Sequence, residues 1–149
     1  MSGLLIPSQV APVPWANGAG ATRELAAVRG AGGEMRWRVS VADLDRDACF
    51  SVLPGIDRLF VALGPLDLFV EGRRSALVAG DMVRFAGETA VAVHVDRPTR
   101  ALNVMTRRGV FCGEVRLRDR AEGVSAGVDL TVDVGDRLAD VLLTPEGQR

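Results

Sequence analysis

The chain has 149 residues, enough for one domain that buries roughly 68–70% of the surface its unfolded form exposes, so neither disulfides nor structural metals are needed for stability. Its formal charge is -1, from 18 basic and 19 acidic residues, which leaves no broad basic field to gather nucleic acid or an anionic membrane. Every basic residue is arginine and there is no tyrosine, so Schiff-base chemistry, a pyridoxal-phosphate anchor, a P-loop lysine and a tyrosine acid are all excluded.

The N-terminus has no basic segment followed by a long apolar one, and no apolar run reaches about 18 residues; a cytoplasmic location is expected. Cys49 and Cys112 are isolated thiols without C-x-x-C spacing, expected as small core residues rather than zinc ligands or a redox pair.

The densest chemistry comes first in the chain. Pro14-Trp15-Ala16-Asn17-Gly18-Ala19-Gly20-Ala21-Thr22-Arg23-Glu24 loads a short stretch with an aromatic ring, an amide, a hydroxyl, a guanidinium and a carboxylate. Its glycines allow turns and close backbone approach. Asn17, Thr22 and Arg23 offer donors suited to a carboxylate. The competing reading is a plain surface turn with an exposed Arg23/Glu24 pair.

Residues 36–42 alternate strictly, with Trp37, Val39 and Val41 on one face of a strand and Arg36, Arg38 and Ser40 on the other. Phe50 and Ser51 then lead to a Pro54-Gly55 turn and an adjacent Asp57/Arg58 pair. Strands are predicted over residues 59–63 and 66–71, with turns at Gly64-Pro65 and Gly72-Arg73-Arg74. Further strands follow over 82–85, 90–95, 101–107 and 110–117, each bounded by turn residues, and weaker ones over 130–134 and 141–143. This spacing predicts an antiparallel sandwich or barrel with little helix.

Strand 101–107 carries Leu102 and Val104 on one face and Asn103, Met105 and Arg107 on the other. A thioether between an amide and a guanidinium suits a semi-polar cavity wall, or else an edge strand facing water. Arg107-Arg108-Gly109 reads as a solvated dibasic turn. His94 is the single histidine, on a face with Ala90 and Ala92, and is read as structural or surface. One imidazole cannot build the usual catalytic zinc or iron sets, so neither metal nor cofactor is expected. From Glu114 onward eight acids outnumber five arginines, and residues from about 118 to 149 are expected as a weakly structured or shortened, solvated part.

Taken together, the Trp15 to Glu24 loop, the Trp37-Arg38-Val39-Ser40-Val41-Ala42 strand with Phe50-Ser51 and Pro54-Gly55-Ile56-Asp57-Arg58, and Asn103-Val104-Met105-Thr106-Arg107-Arg108-Gly109 resemble the HutD/Ves family. The resemblance implies an all-β, cupin-like (jelly-roll) antiparallel β-barrel, or a compact pair of half-barrels, without a histidine metal cluster. It also implies a role in sensing or limiting histidine utilisation, or in a stress response.

It carries Trp15, Asn17, Thr22, Arg23, Glu24, Arg38, Ser40, Phe50, Ser51, Asp57, Arg58, Asn103, Met105 and Arg107 forward as candidate cavity residues. The expected partner is a small anionic or zwitterionic metabolite, with a homodimer as the assembly to test and neither nucleic acid nor membrane. The alternative is a metal-free isomerase or hydrolase with Glu24 or Asp57 as general base.

Overall fold

The computed structural model describes residues 3–122 and 127–147. Its strands in chain order are β1 (Leu4–Leu5), β2 (Val13–Pro14), β3 (Gly20–Arg29), β4 (Met35–Leu44), β5 (Ala48–Cys49), β6 (Ile56–Ala62), β7 (Leu66–Val70), β8 (Arg73–Leu77), β9 (Met82–Ala86), β10 (Val91–His94), β11 (Thr99–Arg107), β12 (Phe111–Asp119), β13 (Leu130–Asp133) and β14 (Arg137–Pro145). The only helical segments among the described residues are two 3-10 turns, Pro7–Gln9 and Arg120–Glu122.

A six-stranded sheet, ordered β2-β3-β4-β11-β6-β9, is the centre of the molecule. One of its faces packs on the sheet β5-β10-β7-β8, burying Ala42, Leu44, Phe60, Ala62 and Ala101 with Leu66, Leu68, Val91 and Val93. The opposite face packs on the sheet β1-β13-β14-β12, burying Val39, Val41, Leu59, Val61, Leu102 and Val104 with Val132, Ala139 and Val141. The three sheets remain separate, so the expected barrel is not closed into one continuous ring.

Burial on both sides explains why Leu59 to Ala62 and Ala101 to Thr106 are buried without a break. A strand between two layers has no face left for water, and both halves of its alternation must be core or site. β4, β11 and β6 therefore supply successive residues to two different environments. Register aligns Ser40 with Asn103 and Asn103 with Phe60 across these strands.

The structure also differs from the sequence reading in places. The turn after β7 is Glu71-Gly72, both at positive φ, and Arg73 already opens β8. Its exposed Arg73, Arg74, Ser75 and Ala76 form an outer strand whose polarity hid it. Gly20 to Glu24, the second half of the segment read as a site loop, open the ten-residue β3. The stretch beyond residue 118, expected as solvated, carries its two weakly predicted strands as β13 and a longer β14, in which Val132, Ala139 and Val141 are fully buried.

Candidate functional site

The loop before β3 is shaped by its backbone. Trp15 N–H donates to Gly20 O at 2.8 Å and Gly18 N–H donates to Trp15 O at 3.0 Å. Gly18 sits at φ +72, the left-handed region open to glycine. At Gly20 a Cβ would lie 2.4 Å from the Asp43 carbonyl oxygen and close to the Trp15 ring, so only glycine lets the loop close on β4. Asn17 Oδ1 accepts from the Ala19 N–H at 2.9 Å, an Asx turn that leaves its amide NH2 uncommitted to this turn. Trp15 Nε1 donates to Thr22 Oγ1 at 2.8 Å, which sets the indole's orientation.

This loop covers one end of the face of the central sheet that meets β5 and β10. Beneath it lies a cavity of about 400 Å³. Its wall contains Trp15, Asn17, Thr22, Arg38, Ser40, Phe50, Ser51, Arg58, Asn103 and Met105, ten residues singled out from sequence, together with Ala16, Ala42, Cys49 and Leu53. Trp15 meets Phe50 edge-on with centroids 6.3 Å apart, and Phe50 lies 5.9 Å from Phe60. One wall is thus aromatic.

Arg58 dominates the electrostatics. Its guanidinium carbon lies 5.0 Å from the Phe50 ring centroid and 5.2 Å from that of Phe85. The residue is 7% exposed. Its terminal nitrogen reaches Asn103 Oδ1 at a long 3.4 Å, Nε donates to nothing, and no carboxylate among the described residues pairs with it. Burial pushes this guanidinium down from its usual range to about 10, and the like charge of Arg38 adds to the effect.

Arg38 Nε lies 2.9 Å from Glu24 Oε1, but its N–H is not aimed at that oxygen and finds no acceptor elsewhere among the described residues. Glu24 is shared with the exposed Arg29 at 3.4 Å. The wall therefore holds two guanidinium groups and no carboxylate. Its chemistry is that of an anion-accepting pocket with an aromatic side.

Four sequence candidates lie outside this wall. Arg23 is on the other face of β3, where its Nε pairs with Asp43 at 3.0 Å and its NH1 donates to Val10 O at 2.7 Å, tying down the N-terminal segment. Glu24 flanks the cavity only through Arg38. Asp57 is the outward neighbour of Arg58 and bonds Arg108 Nε at 2.9 Å. Arg107 lies beyond the cavity, donating to Met35 O at 2.9 Å.

Alternation along a strand accounts for Arg23 and Asp57: once Thr22 and Arg58 face inward, their neighbours face out. The expected pair of general bases, Glu24 and Asp57, is thus absent from the lining. The dibasic turn is also more than solvated charge, because Arg108 bridges Asp57 and Glu88 while Glu88 accepts from the Gly55 N–H at 2.8 Å. These bonds, Arg108 first, lower the Glu88 carboxyl to about 2.

Cys49, expected as a core residue, is exposed and belongs to the cavity wall. Nothing in its sequence neighbourhood marked it, since β5 is two residues long. His94 is half-buried and lies between Asp47, 2.8 Å from Nδ1, and Asp96, 3.0 Å from Nε2. Among the described residues no three His, Cys, Asp or Glu side chains gather as a metal-ligand set. The cavity wall offers only the Cys49 thiol of those four types, a donor set unsuited to the metal sites of cupins.

Comparison with known proteins places this geometry. A family model described as HutD matches residues 8–134. The chain is 31% identical over 140 residues to Protein Ves of Citrobacter koseri, covering 89% of this chain and 73% of that protein. HutD from Pseudomonas fluorescens SBW25 superposes with a TM-score of 0.78 at 19% identity, over 96% of this chain and 98% of that one. An RmlC-like cupin from Shewanella frigidimarina matches with a TM-score of 0.54 at 12% identity, over 67% and 86% of the two chains. The fold is the cupin jelly roll, and no helix among the described residues is long and apolar enough to cross a membrane.

Proposed function

Because the chain belongs to the HutD family, we propose that it binds a small carboxylate-bearing metabolite in the cavity beneath the Trp15 loop and acts as a sensor or governor in amino-acid catabolism. The observation that carries this reading is Arg58, a buried guanidinium in the wall with no carboxylate partner among the described residues. A buried charge requires a counter-charge, and a ligand carboxylate supplies it with a bidentate, charge-assisted geometry. Asn17 and Asn103 are placed to hold an amide or imino group, and Trp15 and Phe50 to pack an apolar stem.

The family directs the choice of metabolite to histidine breakdown, with formimino-glutamate-like compounds first in the panel. Isothermal titration with small carboxylates and amino-acid derivatives tests the reading. A binder is expected that Arg58→Gln or Arg38→Ala weakens by more than tenfold, since removing a buried charge partner costs about 2–5 kcal/mol of binding. A binder indifferent to both changes moves the site elsewhere.

A second reading, turnover of the ligand, draws on Glu24, whose carboxylate stands 2.9 Å from Arg38 Nε at the edge of the site. Consumption of the ligand that Glu24→Gln abolishes would select it.

A further inference from the structure

Cys49 stands in the same wall as Arg38 and Arg58 and is exposed, while the residue after it, Phe50, carries the Arg58 guanidinium 5.0 Å above its ring. A free thiol therefore shares a cavity of about 400 Å³ with two cations. One of these, Arg58, is 7% exposed, lacks a carboxylate partner among the described residues, and leaves its Nε without an acceptor. We propose that Cys49 is a covalent modification site, selective for small electrophiles that carry a carboxylate, and that its modification occupies the carboxylate site of the cavity.

The inference rests on the carboxylate reading of the pocket. Selectivity comes from position: an arginine that holds the reagent's carboxylate keeps its electrophilic carbon beside the sulfur, which turns a bimolecular encounter into a local one. In the step itself the thiolate attacks a saturated carbon bearing a leaving group. A C–S bond forms, the bond to the leaving group breaks, that group departs with the electron pair, and the thiol proton goes to solvent. Cys112, half-buried on β12 in another sheet, is the internal reference.

The test compares iodoacetate with iodoacetamide on the intact chain, with the site of alkylation read by peptide mass mapping. Relative to the ratio at Cys112, iodoacetate is expected to modify Cys49 at least tenfold faster than iodoacetamide does, with a rate that saturates in iodoacetate. Arg58→Gln removes that preference and leaves the reaction with iodoacetamide; should this variant melt below the assay temperature, Arg38→Gln makes the same comparison. Carboxymethylated protein is expected to lose binding of any carboxylate that the unmodified chain binds.

Equal ratios at the two cysteines, or a Cys49 inert to both reagents, would overturn the inference. Titration of Cys49→Ser separates it from the reading beneath it. Carboxylate binding that persists in that variant, with no preference at Cys49 in the parent, sinks the thiol site alone; a preference at Cys49 without any bound carboxylate from the panel sinks the metabolite reading alone.

Discussion

Arg58 shows how one side chain can be set against the stability of its own fold. Its drop from the ordinary arginine range to about 10 corresponds to roughly 3 kcal/mol of disfavour for the charged form. A cation whose folded value is depressed is destabilising wherever it stays protonated, and the burden lifts only as pH rises through about 10 toward the ordinary arginine range. At neutral pH it is present in full. Arg58→Met keeps the aliphatic length between the Phe50 and Phe85 rings and removes the charge. The variant is expected to melt at or above the parent's temperature while losing the thermal shift that a bound carboxylate confers on the parent. Thermal denaturation with and without ligand checks both halves, and a marked loss of stability would show that the rings depend on the cation.

At the scale of elements, the cavity wall depends on a short connection. The link between β4 and β5 is held by Asp47, whose Oδ1 accepts from the Val95 N–H at 3.0 Å and whose Oδ2 meets His94 at 2.8 Å. The bond to Asp47 first, then that to Asp96, raises His94 above its ordinary 6.5. A base raised in the fold stabilises while protonated, so its contribution is complete below 6.5 and is lost as pH climbs through the folded value. Asp47 is lowered by the same bond and by Val95, so its contribution is present above 3.8 and fades as pH falls through its folded value. The clasp is therefore expected to be firmest between 3.8 and 6.5. Two measurements check it: the single histidine should titrate above 6.5 in proton NMR, and the melting-temperature gap between parent and His94→Ala should shrink as pH rises past that midpoint.

At the scale of the whole molecule, the third layer is core. Val141 on β14 is fully buried against the face of the central sheet that carries Val39, Val41 and Val104. Val141→Ala is expected to cost about 2–3 kcal/mol, two methylenes of transfer plus a cavity. The same strand holds Asp140, with no exposed surface, between Arg118 Nε at 2.7 Å and Thr131 Oγ1 at 2.9 Å. Asp140→Ala removes the carboxylate that the buried Arg118 bonds and is expected to cost about 3–5 kcal/mol. Chemical denaturation measures both. Values near zero would return this region to the solvated role that its acidic composition suggested.

Much of this arrangement was legible in one dimension. Alternation placed Trp37, Val39 and Val41 opposite Arg38 and Ser40, and Met105 beside Asn103 marked an inward polar face, because strand periodicity and side-chain polarity are local properties. The glycine-bearing loop around Asn17 declared itself through residues no packing need explains. Local pattern also excluded lysine and tyrosine chemistry outright.

Tertiary structure alone decided what each face meets. The acid-rich C-terminal part looks solvated until β14 is seen to cover a sheet whose other face is already in use, since layering depends on pairings between distant strands such as β12 with β14. It also decided that Arg58 is left without a carboxylate among the described residues while Asp57, one residue away, finds Arg108 fifty-one positions along the chain. Charge pairing is a matter of distance in space, and sequence order carries no measure of it.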